Sequence, residues 1–60
     1  MFQFIAITVC GVVCQTIDLP YHGDPRLCDL RAWAEMTAYI PRLGEGETIT
    51  EFGCKTGESA

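Results

Sequence analysis

Residues 2–9 read FQFIAITV, rich in aromatic and β-branched side chains, with both alternating sets of positions mostly apolar. A strand with two apolar faces belongs at the centre of a sheet, covered on both sides. Residues 10–14, CGVVC, carry a glycine and can close a short hairpin. Residues 15–19 then alternate, Ile17 and Leu19 against Thr16 and Asp18, which predicts a second strand ended by Pro20. Residues 21–24 form a turn. Asp24-Pro25 predicts a helix start, because Asp caps and Pro loses nothing at the first helical position. The segment 25–40 lacks glycine and reads as helix, stopped by Pro41. A flexible acidic loop follows at 43–47. Residues 48–54 alternate again and predict a third strand, after which 55–60 form a polar tail.

The expected fold class is α+β. It is a small ββαβ domain over residues 1–54, a three-stranded sheet in the order 2-1-3 with one helix on one face. The doubly apolar first strand takes the centre, and the crossover from second to third strand is right-handed. On the helix, a 100° period collects Leu27, Leu30, Trp33, Ala34, Thr37, Ala38 and Ile40 into a broad stripe expected to cover the sheet. Cys28, Ala32, Met36 and Tyr39 fall on another side, and Arg31 and Glu35 mark the solvated strip. So much apolar helix exceeds what one sheet face requires. The second face of the first strand, with Phe2, Phe4 and Ala6 or its alternate, has no second helix to cover it. Surplus apolar surface of this kind marks protein interfaces.

Length changes the picture. A chain of 60 residues buries only about 60% of its unfolded surface, so its core is marginal. Four cysteines, Cys10, Cys14, Cys28 and Cys54, read as a disulfide framework in so short a chain. Bridged Cα atoms must lie within about 7 Å. The topology brings Cys10 beside Cys14 at the hairpin and Cys28 near Cys54 at the opposite end. That pairing is favoured, with Cys14–Cys28 as its rival. A zinc site from the cysteines and His22 is the competing account, but C-x₃-C and two isolated cysteines depart from zinc-knuckle spacing. The C-x-x-C of thiol oxidoreductases is absent. No metal and no cofactor are expected.

Net charge −4 argues against a nucleic-acid partner, which needs a Lys/Arg surface. The apolar run 2–13 lacks a basic preface and an Ala-x-Ala site, so no export signal is expected. The run is also about eight residues short of a membrane span. His22 and Asp24 near a cysteine could form a catalytic trio, but a solvated, capped turn explains them more simply. Asp18, Glu45, Glu47 and Glu51 read as a solvated acidic face, and the scattered Gly44, Gly46 and Gly53 form no phosphate loop. No catalytic residue and no small-molecule substrate are expected.

The arrangement of Cys10, Cys14, Cys28 with Trp33, and Cys54 resembles an outline found in short four-cysteine orphan proteins encoded by alphaproteobacteria and their phages. There an apolar strand ends near one cysteine, a second opens the next strand, a third shares a helix with a Trp, and a last closes the final strand. The resemblance is one of spacing and implies no activity. The expectation is a non-enzymatic interaction protein, a small accessory component of a virus particle such as a capsid decoration or tail accessory protein. It would bind a larger assembly in multiple copies through Phe2, Phe4, Trp33, Met36 or Tyr39, located in the virion. The alternatives are a secreted or periplasmic disulfide-stapled inhibitor and a small zinc-binding regulator.

Overall fold

In the computed structural model, which describes residues 2–57, the element order is β1 (Phe2–Cys10), β2 (Cys14–Tyr21), a 3₁₀ turn (Pro25–Leu27), α1 (Cys28–Tyr39), a second 3₁₀ turn (Ile40–Arg42) and β3 (Thr48–Gly57). The sheet is antiparallel throughout, in the order β2-β1-β3. The strand with two apolar faces is therefore the central one. It pairs along its length with both neighbours: Ile5 lies opposite Leu19 and Cys54, and Ile7 opposite Ile17 and Phe52.

Alternation along β1 divides its side chains between the two faces. Ile5, Ile7 and Val9 turn toward α1, where they cluster with Cys28 and Ala32. Ile17, Leu19, Tyr39, Leu43 and Ile49 close around this cluster from the strands and the loop. Phe2, Phe4, Ala6 and Thr8 lie on the face that no helix covers. Ala6 is buried there by its strand neighbours alone.

Both cysteine pairs are bridged as disulfides. Cys10–Cys14 joins residues directly opposite each other at the β1–β2 hairpin, and Cys28–Cys54 ties the first turn of α1 to β3 across a sequence separation of 26. No described cysteine is left free. The helix entrance is built as its sequence predicts: the Asp24 carboxylate accepts from the Arg26 amide at 2.9 Å, and Pro25 opens the 3₁₀ turn.

Several boundaries differ from the sequence expectation, each for a physical reason. Pro20 does not end β2. It lies within the strand, opposite Phe4, because β2 is an edge strand with one side free of partners. Pro41 does not halt the helix abruptly but falls inside a 3₁₀ turn that tightens its end. Strand β3 runs past Cys54 through Lys55, Thr56 and Gly57, residues expected to be tail; residues 58–60 of that tail lie outside the described residues. The continuation is anchored by Phe2, whose ring lies where a side chain on Gly57 would project. A bulge also interrupts the even alternation expected in β3. Thr8 pairs with Glu51 and Val9 with Ile49, leaving Thr50 unpaired between them.

The largest correction concerns the helix. Its buried residues are Cys28 and Ala32, each 1% exposed, with Tyr39 packed against the core. The stripe expected to cover the sheet points away from it: Leu27 is 52% exposed, Leu30 67%, Trp33 56% and Ile40 50%, and Ala34, Thr37 and Ala38 are exposed too. The bridge explains the rotation. Cys28 must reach Cys54 on β3, so the Cys28 side of the helix is held against the sheet. Ala32, one turn on, is small enough to let the helix lie close over Ile5 and Ile7.

Candidate functional site

With the helix turned this way, its large apolar side chains become surface. Leu27 ends the capped 3₁₀ turn, Leu30 and Trp33 follow at helical spacing along α1, and Ile40 stands at the helix exit. Residues three and four apart are surface neighbours on a helix, so Leu30 and Trp33 form a contiguous apolar patch. Its flank carries the Arg31–Glu35 ion pair, bonded at 3.0 Å with the i,i+4 spacing of an ordinary solvated helix pair. Thr37 turns its hydroxyl back to donate to the Trp33 carbonyl at 2.9 Å, so it adds little polarity to the patch.

The five residues expected to bind a partner do not form one surface. Trp33 is on the exposed helix face. Met36 and Tyr39 are half-buried, and Tyr39 belongs to the packing around the core. Phe2 and Phe4 lie on the opposite, helix-free face of the sheet, their ring centroids 5.8 Å apart in a tilted pair. Phe2 is exposed and Phe4 half-buried. This second face has a hollow at its centre, where Ala6 lies between Asp18 and Gly53 and nothing approaches within 4 Å of the place a Gly53 side chain would take.

Leu27, Leu30 and Ile40, which helical periodicity places on the sheet-covering stripe, are surface residues. The signal that could have found them was present, since a bridge from Cys28 to the sheet excludes the leucine stripe from facing it. Val12 and Val13 were likewise missed. They project into solvent from the hairpin tip closed by Cys10–Cys14.

Most titratable groups are dispersed, but His22, Asp24, Arg31 and Glu35 line one open groove beside β2. His22 is exposed in the turn before the helix. The Tyr21 hydroxyl donates to the Asp24 carbonyl at 2.8 Å and steadies that turn. The Asp24 carboxyl is held below its ordinary value by the Arg26 guanidinium bonded to it and, second, by the Arg26 amide. Glu47 accepts from the Gly44 amide within the acidic loop. Among the described residues, no three His, Cys, Asp or Glu side chains gather where they could hold a metal ion. That groove, of about 580 Å³ between β2 and the helix, is lined by Ile5, Leu19, Leu27, Arg31 and Glu35, among others. Its charged pair is already satisfied internally. No described helix is long and apolar enough to cross a membrane.

No protein-family model, no curated protein and no solved structure matches the chain.

Proposed function

We propose that this protein is a non-enzymatic interaction module that docks onto a larger protein through the exposed face of its helix. The observation that supports this most directly is the inversion of α1, which buries Cys28 and Ala32 and leaves Leu27, Leu30, Trp33 and Ile40 at least half exposed. Surface arithmetic points the same way. The accessible area is 4569 Å², against about 3,900 Å² for a compact monomer of 6.6 kDa. The surplus of about 700 Å² reflects a thin fold that leaves large side chains at its surface. The radius of gyration, 12.1 Å, likewise exceeds the roughly 10.4 Å of a compact chain this long. Within this class, an accessory role in a virus particle is the narrower proposal, supported by small size and cross-linking; multiple copies would bind with avidity.

The test is to fractionate native extracts of the source material by size. Wild-type protein is expected to co-elute with a much larger assembly. The double variant Leu30→Ser/Trp33→Ser, checked by circular dichroism for an unchanged fold, is expected to elute as the free 60-mer. Trp33 is the only tryptophan, so its emission blue-shifts when the patch is covered. Wild-type protein that elutes alone, with solvent-exposed tryptophan emission, would refute the proposal. Co-sedimentation with virus particles decides the narrower one.

A further inference from the structure

The two disulfides occupy opposite environments. Cys28 is buried among Ile5, Ile7 and Ala32, and Cys54 is half-buried beside it. Cys10–Cys14 instead closes the hairpin tip, where Gly11, Val12, Val13 and Cys14 are all exposed and Cys10 alone is half-buried. The bulge in β3 adds a second feature. It leaves Thr50 out of the ladder and places its hydroxyl 3.5 Å from the Cys10 sulfur. A disulfide sulfur carries no hydrogen, so the hydroxyl is the donor.

Disulfide exchange requires a thiolate to approach one sulfur along the bond axis while the other leaves as thiolate. Of the two bridged residues Cys14 is the exposed one, and the sulfur that leaves on attack there, that of Cys10, has a donor beside it. We propose that the Cys10–Cys14 hairpin is a thiol-exchange site for small-molecule thiols, opened by attack at Cys14 and assisted by Thr50, while Cys28–Cys54 stays closed. In the first step R–S⁻ forms a bond to Cys14 Sγ. The Cys10–Cys14 bond breaks, and its electron pair passes to Cys10 Sγ, whose thiolate accepts the Thr50 hydrogen bond. A second R–S⁻ then attacks the R sulfur of the mixed disulfide and releases the Cys14 thiolate and R–S–S–R. Both protein thiolates take up protons from solvent. The protein disulfide gains two electrons and two molecules of thiol are oxidised. If Cys10 attacks first instead, the ring recloses and R–S⁻ is returned. Thr50 is a positioning residue in this scheme, aimed by the bulge.

The experiment treats the oxidised full-length protein with glutathione, quenches with acid, alkylates and maps the modified cysteines by mass spectrometry. Opening of Cys10–Cys14 is expected to run roughly tenfold or more ahead of Cys28–Cys54, since access governs exchange rates. The glutathione adduct maps to Cys14, with the far-ultraviolet circular dichroism unchanged. Thr50→Val, which keeps shape and removes the hydroxyl, slows opening roughly fivefold, the worth of one modest hydrogen bond, and Thr50→Ser restores it. The two bridges opening together, an adduct mapped to Cys10, or a Thr50→Val rate equal to wild type would each overturn the proposal.

Discussion

Replacing Ala32 with Leu and, separately, Leu30 with Gln tests which way the helix faces. Ala32 is 1% exposed within the cluster of Ile5, Ile7, Val9 and Cys28. Leucine adds three carbons to a space already filled, and such overpacking costs about 1–3 kcal/mol. In a domain this small each kcal/mol shifts the melting temperature by about 4–8 °C, so the variant should melt about 4–24 °C lower. Leu30 is two-thirds exposed. Only about a third of a leucine's burial is at stake, roughly 0.5–1 kcal/mol. If the leucine stripe faced the sheet, the order would invert: Leu30→Gln would then cost about 2–5 kcal/mol through the lost packing, and a buried amide would add to that. The assay is thermal and urea unfolding by circular dichroism on dilute protein, with both disulfides confirmed by mass. A Leu30→Gln variant less stable than Ala32→Leu would refute the assigned orientation, and with it the exposed patch.

The two cross-links should differ in worth as their loops differ. Closing a separation of 26 residues contributes about 3.5 kcal/mol and closing one of 4 residues about 2 kcal/mol on the chain-entropy estimate, against a total of about 3–9 kcal/mol for a domain of 60 residues. Cys28→Ala/Cys54→Ala is therefore expected to lose most of its cooperative urea transition and Cys10→Ala/Cys14→Ala to retain it at a lower midpoint; the reverse order would contradict this account. The Asp24 cap should show in the acid limb. Its carboxyl titrates below the ordinary 3.8 in the folded chain, so its stabilising contribution is complete above that value and is lost as pH falls through the lower folded one. Asp24→Asn should show a shallower decline of melting temperature below pH 3.8 than wild type, and parallel acid limbs would show that the cap contributes nothing.

Strand order, the position of the helix along the chain and the favoured of two disulfide pairings were legible in the sequence. A doubly apolar strand must be central, Asp24-Pro25 must start a helix, and Cys10 and Cys14 cannot avoid each other across a hairpin. The facing of the helix is not legible in the same way, because its largest apolar residues do not turn inward. Periodicity identifies Leu27, Leu30, Trp33 and Ile40 as one face, but it does not say what that face meets. The Cys28–Cys54 bridge carries the missing information, since it demands that Cys28 look down onto β3. Pro20 is ambiguous for a related reason: proline ends a central strand, but an edge strand such as β2 tolerates it. The bulge at Thr50 left no mark in the alternation of Thr48, Thr50 and Phe52, which the register of the sheet overrides.

These observations connect through a division of labour between sulfur and hydrocarbon. One helix laid on a three-stranded sheet gives extents of 35 × 24 × 13 Å, a slab too thin to enclose large side chains from both layers. Among the described residues the buried set is Ile5, Ala6, Ile7, Val9, Cys28 and Ala32. None is aromatic, although the chain has six aromatic residues. A core of that kind does not secure a domain alone, and in small domains cross-links commonly take over. Once Cys28–Cys54 holds the helix to the sheet, the helix has no need to bury Leu30 and Trp33 to stay in place. Those side chains can then face outward, where stability no longer constrains their identity and a partner can. The bridge that fixes the helix orientation is thus also what makes its apolar face available.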